Sequence, residues 1–282
     1  MEWEGQEESS NVEDRRQFPV KAAAIGGGGL LIVLVAMFLG VNPQKLADMF
    51  GQGQPADQQG GQVERKADPA EERLASFTKV VLRDTEVVWG KLFRQLGQTY
   101  RVPKLVLFTE RVDSACGTAD SAVGPFYCPG DSNVYIDLSF YKDMEQKLNA
   151  GGEFARAYVV AHEVGHHVQR LLGYTARIEG NRSEPKNQRS VRLELQADYL
   201  AGVWAYYGKE KFKLNEADIA SALNAAKEIG DDRLQKKARG YVVPDSFTHG
   251  TSAQRQRWFR RGWETGDVNG AQQLLELRYD EL

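Results

Sequence analysis

Hydrophobic and polar positions divide the 282-residue chain into four parts. Residues 1 to 19 are polar and mostly acidic, a composition that predicts a disordered tail. We predict a transmembrane helix at residues 20 to 41, because positions 22 to 41 carry no charge and could cross the core of a bilayer. Residues 42 to 67 are rich in Gln, Gly, Pro and Asp, as flexible linkers are. Helix and strand spacings begin after them, so residues 68 to 282 are expected to fold as one domain.

The apolar segment is predicted to be an uncleaved membrane anchor rather than a signal peptide. The leader before it is long and acidic, and no small-x-small cleavage pattern follows Leu39. Basic residues are more frequent before the segment (Arg15, Arg16, Lys21) than after it (Lys45). By the rule that basic flanks stay in the cytoplasm, we expect a cytoplasmic N-terminus and an extracytoplasmic domain at the inner membrane.

The domain starts with a clear helix signal. Asp68 is a favourable N-cap, Pro69 suits the first helical position, and apolar residues follow at helical spacing to about Gln98. Residues 102 to 109 and 133 to 140 are apolar and rich in β-branched or aromatic residues, which predicts two strands. Other strand signals are scarce, so the pattern indicates an α+β domain that is mainly helical and has a small sheet.

An apolar helical segment from residue 159 to 168 contains the pattern H-E-x-x-H. His162 and His166 are four positions apart and therefore lie on one helix face, where two imidazoles could bind one zinc ion. Glu163 is placed to take a proton from a metal-activated water without binding the metal. The alternative is a histidine-rich surface helix. The apolar flanks disfavour it, since buried histidines without partners are costly.

A catalytic zinc site needs a third protein ligand. The longer pattern H-E-x-x-H-x-x-G-x-x-H fails here, because Gln169 and Leu172 occupy its glycine and its last histidine. The third ligand must therefore be a carboxylate on another helix, or His249. His167 is rotated by about 100° from its neighbour on the helix, so we expect it to pack or support rather than to share the ion.

A predicted helix at residues 187 to 207 offers the carboxylates. Glu194 and Asp198 are four positions apart, so Glu194 could bind zinc while Asp198 accepts the outer N–H of a ligand histidine. The alternative is a solvated acidic pair on a surface helix. The small residues Ala197 and Ala201 beside the pair favour close helix packing and hence the functional interpretation.

The net charge and the two cysteines bear on the possible partners and on the cellular compartment. The net charge of −3 and the pI near 5.9 give no reason to expect nucleic acid as a partner. Cys116 and Cys128 lie in a glycine-rich loop, at a separation that a disulfide can close. An extracytoplasmic domain would favour that disulfide, whereas a cytosolic one would favour two free thiols.

The metal-site residues resemble the gluzincin arrangement, and most of the chain resembles the bacterial family of predicted neutral zinc metallopeptidases with one N-terminal membrane span. The matching motifs are Gly124–Cys128, Val134–Leu138, His162–His166, Glu194–Asp198 and Thr248–Arg255. The resemblance implies a zincin-like fold, one Zn²⁺ per chain, and a sheet edge that receives extended peptide. We expect the strand at Val134–Leu138 to pair with that peptide.

The last motif adds two candidate catalytic residues. In related membrane gluzincins a Thr-His turn, followed six residues later by arginine, lies near the catalytic centre. His249 and Arg255 have that spacing here, although Gly250 replaces the usual proline. The resemblance implies that His249 or Arg255 stabilises the oxyanion or orients Glu194. The simpler interpretation is a capping turn followed by a surface arginine.

These observations predict a membrane-anchored zinc metallopeptidase that acts on protein or peptide substrates. One alternative is a membrane-tethered zinc-binding interaction module without catalytic activity, which closed four-ligand coordination would favour. Another is a zinc hydrolase that acts on a non-peptide amide. The sequence leaves the oligomeric state open.

Overall fold

The computed structural model describes residues 1 to 16 and 68 to 282. The predicted transmembrane helix at 20 to 41 and the predicted linker at 42 to 67 lie outside the described residues. Within the described part of the chain, no helix has both the length and the apolar character needed to cross a membrane. Helices dominate the folded unit and accompany a small sheet, so the predicted mixed helical architecture is confirmed.

A four-stranded sheet forms one side of the fold, with the strand order β1, β2, β6, β5. Its strands are β1 (Val12–Asp14), β2 (Lys104–Phe108), β5 (Phe126–Cys128) and β6 (Asn133–Asp137). The first three strands in the sheet order are parallel, and β5 is antiparallel to β6. A hairpin of β3 (Arg111–Ser114) and β4 (Gly117–Asp120) lies between β2 and β5 in the chain. Strands β2 and β6 lie within the two segments that were predicted to be strands.

Strands β2 and β6 are continuous apolar runs because both of their faces are buried. Leu105 and Ile136 join the main helical core. Val106 and Tyr135 point to the other face, where they form a smaller cluster with Cys128. The sheet therefore separates the helices from the hairpin.

Nine helices lie within the described residues. The first, α1 (Pro69–Gln95), begins as predicted, because the Asp68 carboxylate accepts the Ala70 N–H at 3.0 Å. The others are α2 (Ser139–Gln146), α3 (Glu153–Leu171), α4 (Tyr174–Gly180), α5 (Lys186–Gly208), α6 (Glu216–Glu228), α7 (Asp231–Arg239), α8 (Ser252–Thr265) and α9 (Gln273–Glu276). Helices α3 and α5 are buried along most of their length, so they form the centre of the domain.

Helices α5 and α8 cross with their backbones in contact. A Cβ atom at Gly202 would lie 2.1 Å from the Phe259 carbonyl oxygen, and one at Gly262 would lie 2.0 Å from that of Tyr199. No side chain fits at either position, so the glycines set the distance between the two helices.

Residues 1 to 16 belong to the folded unit, so the prediction of a disordered tail is wrong for them. Trp3 is only 6% exposed, and its ring contacts Phe77 edge-on at 5.3 Å between centroids. The acidic side chains that suggested disorder pair with basic side chains elsewhere in the domain. The ion pairs are Glu2–Lys213, Glu4–Arg73, Glu7–Arg83, Glu8–Lys79 and Glu13–Lys104.

Strand β6 is covered by β5 from Asn133 to Tyr135, so the prediction that Val134–Leu138 pairs with substrate is wrong for Val134 and Tyr135. Its backbone is bonded to β2 on one side and to β5 on the other. The strand at that end of the sheet is β5. Sequence patterns did not indicate this short strand, because three residues carry little periodicity.

The predicted disulfide is confirmed. Cys116, in the turn between β3 and β4, is bonded to Cys128 at the end of β5. The bond therefore fastens the tip of the hairpin to the edge strand.

We expect Gly262→Ala to destabilise the domain, because a methyl group would be forced into the Tyr199 carbonyl. Overpacking of this kind lowers the free energy of unfolding by about 1–3 kcal/mol. Each kcal/mol lowers the Tm of a domain of this size by about 2–4 °C. Thermal unfolding of the full chain measures the shift. Gly180→Ala is the matched control, since this exposed glycine ends a helix and a Cβ atom there would meet nothing within 4 Å. Equal melting temperatures for the two variants would contradict the close crossing.

Candidate metal centre

Helix α3 presents the two histidines of the H-E-x-x-H pattern. The rings of His162 and His166 are 4.9 Å apart between centroids, on the helix face that is turned towards α5. Most of α3 is buried in the main core, and Glu194 and Asp198 of α5 face these two rings. The helix thus holds both rings in a fixed place.

Helix α5 brings the third ligand to the pair. It approaches α3 closely at Gly165, where a Cβ atom would lie 3.0 Å from the Ala197 carbonyl oxygen. Glu194, about one turn earlier on α5, then reaches both rings. Its carboxylate oxygens lie 3.2 Å from Nε2 of His162 and 3.6 Å from Nε2 of His166. The structure therefore brings together the three predicted ligands.

The geometry of these three residues suits a zinc ion. Their donor atoms all lie within 4.8 Å of one another. Tetrahedral ligands at about 2.1 Å from zinc are about 3.4 Å from each other, which is close to the observed distances. Burial raises the pKa of the Glu194 carboxyl, but the two imidazoles outweigh burial and hold that pKa well below its usual value. The carboxylate thus stays charged, as a metal ligand must.

Asp198 supports the first histidine as predicted. Its Oδ1 lies 2.8 Å from Nδ1 of His162, so Nδ1–H donates to the carboxylate and Nε2 is left to face Glu194. Burial lowers the pKa of His162, but Asp198 outweighs burial and raises it to about 10. A cation that binds this ring must therefore displace a proton.

Gln169 supports the second histidine, a role that sequence patterns did not reveal. Its Oε1 accepts the Nδ1–H of His166 at 2.9 Å, and its Nε2 donates to the Leu193 carbonyl at 2.6 Å. The side chain is 1% exposed and connects α3 to the turn of α5 that carries Glu194. In the sequence, its position three residues after His166 on one helix was the available signal.

Arg255 lies behind Asp198 and not beside Glu194. Its Nε and Nη2 donate to the two oxygens of Asp198 at 2.8 and 3.0 Å, and Nη2 also donates to the Tyr158 hydroxyl at 3.2 Å. The guanidinium is only 2% exposed. The predicted alternative of a surface arginine is therefore wrong, and so is the prediction that Arg255 orients Glu194. Arg255 orients Asp198 and, through it, the ring of His162.

Glu163 is next to the histidines and is buried without a salt bridge. It is 8% exposed, and burial raises the pKa of its carboxyl to about 7. The charge of His162 is the largest contribution that opposes this rise, and the backbone N–H of Tyr127, in the edge strand β5, opposes it more weakly. A carboxyl with a pKa near 7 can take up and release a proton at neutral pH.

His249 is held by a buried carboxylate that sequence patterns did not indicate. One oxygen of Asp231 accepts the backbone N–H groups of Thr248, His249 and Gly250 at 2.6–3.0 Å. The other oxygen lies 3.2 Å from Nδ1 of His249. Burial opposes the charged form of His249, but Asp231 and the charge of Glu194 outweigh burial and raise its pKa.

His167, the residue after His166 on α3, has a supporting role, as predicted. Nε2–H of His167 donates to the Arg101 carbonyl at 2.5 Å, and its Nδ1 accepts from the Tyr127 hydroxyl at 3.1 Å. The Tyr127 side chain therefore bonds the edge strand to α3. These contacts fix the edge strand over the helix that carries Glu163.

Comparison with known proteins shows which family the chain belongs to. The uncharacterized protein YpfJ of Escherichia coli K12 is 48% identical over 279 residues, which cover 95% of this chain and 96% of that protein. The uncharacterized protein Rv2575 of Mycobacterium tuberculosis H37Rv is 43% identical over 195 residues, 65% of each chain. No solved structure matches. A family model described as "Putative neutral zinc metallopeptidase" matches residues 1 to 274, and the chain belongs to that family.

Proposed function

We propose that this protein is a zinc-dependent metallopeptidase. The observation that carries the proposal is the convergence of His162, His166 and Glu194, whose donor atoms lie within 4.8 Å beside the buried Glu163. Two imidazoles and one carboxylate are a usual ligand set for catalytic zinc, which leaves one position open to water or substrate. A structural zinc site in an interaction module would have four protein ligands instead. The three-donor group thus favours catalysis over that alternative.

The proposed reaction divides its work among a few side chains. A bound zinc ion would polarise the scissile carbonyl and make water more acidic. Glu163 accepts the proton of the attacking water and delivers it to the leaving amine, for which its pKa of about 7 is suited. Asp198 and Gln169 keep the Nε2 atoms of the two histidines directed at Glu194.

His249 is the proposed donor to the oxyanion. The bond between its Nδ1 and Asp231 leaves Nε2–H available, and its raised pKa favours the charged ring. A charged donor aimed at developing negative charge stabilises the transition state more than the ground state. Asp231 is a positioning residue, because it acts through the His249 ring and the turn around it.

The substrate is proposed to be an extended peptide that adds to the edge of β5. This strand is at one end of the sheet, and it contacts the helix that carries Glu163 through the Tyr127 hydroxyl and His167. Pairing through main-chain hydrogen bonds recognises peptide backbone, which favours a peptide over other amides. Selectivity for side chains would then come from the surrounding surface.

The proposed location is an oxidising compartment outside the cytoplasm, at the inner membrane. The disulfide between Cys116 and Cys128 supports this location, because such bonds persist where the thiol pool is oxidised.

Glu163→Gln is expected to retain about one zinc per chain and to lose turnover by about 100-fold or more, since an amide cannot accept the proton. Zinc is measured by mass spectrometry of the metal, and turnover by hydrolysis of a mixture of quenched fluorescent peptides. Glu145→Gln is the matched control, because its side chain is 65% exposed and pairs only with Arg156. Full activity in Glu163→Gln would refute the proposed base.

Glu194→Ala is expected to lose zinc, because two histidines alone are a weak site. The metal content of the purified full chain, after dialysis against a mild chelator, measures the loss. Glu179→Ala removes an exposed carboxylate from α4 and should leave the zinc content unchanged. Zinc content that is indifferent to Glu194 would assign the third ligand elsewhere.

His249→Ala is expected to keep zinc and to lower kcat by about 100- to 1,000-fold with little change in KM, because the lost bond forms mainly in the transition state. Asp231→Asn should lower kcat in the same direction, by a smaller factor. Steady-state kinetics and a thermal melt, run side by side, separate this effect from misfolding. Unchanged kcat in a well-folded His249→Ala protein would remove the residue from the mechanism.

A further inference from the structure

The described residues on either side of the gap at 17 to 67 meet at one place on the surface. Arg16 is the last described residue before the gap, and its guanidinium pairs with Glu71 at 3.3 Å and with Glu72 at 3.0 Å. These glutamates lie in the first turn of α1, directly after the gap. Arg16 is only 8% exposed and also pairs with Asp14. The two ends of the segment from 17 to 67 are thus held together by ion pairs.

Residues 11 to 15 are bonded to the domain through their backbone. The Leu105 N–H donates to the Asn11 carbonyl at 2.9 Å, and the Arg15 N–H donates to the Leu107 carbonyl at 2.7 Å. Between these bonds, β1 runs parallel to β2 in the register Val12 to Leu105. Such bonds form only if both strands lie in the same aqueous compartment.

The domain also has buried groups whose partners come from residues 1 to 16. Glu86 is 6% exposed, and its Oε1 accepts from the Ser9 hydroxyl at 2.5 Å and from the Asn11 amide at 2.8 Å. Without these donors, a buried carboxylate would keep only Arg83. The Ser9 hydroxyl and the Asn11 amide thus satisfy a buried carboxylate, so residues 1 to 16 are an integral part of the folded unit.

We propose that residues 1 to 16 and 68 to 282 lie on the same side of the membrane. A single crossing between residues 16 and 68 would pull β1 away from β2. Any chain that enters the bilayer there must return to the side it left.

Paired cysteine labelling in the full chain tests the proposal without reference to catalysis. Both natural cysteines are in the disulfide, so Ser10→Cys and Ser183→Cys each supply one reactive thiol at an exposed position. Spheroplasts are treated with a membrane-impermeant maleimide before and after lysis, with one cytoplasmic and one external protein as markers. We expect both variants to react in the same condition. Reaction of one before lysis and of the other only after it would overturn the proposal and support a single crossing.

A cross-link in intact membranes checks the contact itself. Glu13 and Lys104 pair at 3.4 Å across β1 and β2, and both are well exposed. The double variant Glu13→Cys with Lys104→Cys is expected to be joined by a short bis-maleimide that crosses membranes, and the cross-linked peptides are identified by mass spectrometry. The double variant Ser10→Cys with Ser183→Cys is the control for non-specific linking. Failure of the first pair to link, with both thiols reactive in detergent, would contradict the proposal.

Discussion

The buried carboxylate of Asp198 is the interaction on which the metal centre depends. It is fully buried, and it accepts hydrogen bonds from Tyr158 and His162 of α3 and from Arg255 of α8. Burial raises its pKa, but Arg255 and His162 outweigh burial and keep the carboxyl charged. A buried charge is tolerated only when its partners are in place, and the loss of one partner typically costs about 3–5 kcal/mol. Asp198 therefore requires α3, α5 and α8 to sit in one arrangement, and that arrangement is the one that brings Glu194 to the two imidazoles.

The glycines make this arrangement possible. Gly165 lets α3 approach the Ala197 carbonyl of α5, and Gly202 with Gly262 lets α5 contact α8. With larger residues at these crossings the helices would separate, and Arg255 would no longer reach Asp198. The hydrogen bonds of Asp198 and the close packing of the helices thus depend on each other, because each forms only when the other is in place.

A second buried carboxylate organises the turn that carries His249. Asp231 gathers three successive backbone N–H groups of the turn that carries His249, and it also holds the ring. The parts of the site that would bind metal and the part that would meet substrate charge are therefore fixed separately, by Asp198 and by Asp231. In both cases a histidine is positioned by a buried carboxylate.

Local chemistry could be predicted from the amino-acid sequence alone, whereas contacts between distant segments decide which residues meet. Helical spacing was enough to predict His162, His166 and the pair of Glu194 and Asp198, since residues four apart share a face whatever surrounds the helix. Helical spacing also predicted the long first helix and the mainly helical class, and the runs of β-branched and aromatic residues predicted the two central strands. Gln169 and Asp231, the burial of Arg255, the edge position of β5 and the docking of residues 1 to 16 all depend on the fold. Composition suggested disorder for the acidic N-terminus because it shows charges without their partners, and those partners lie on other segments that only the fold brings beside it.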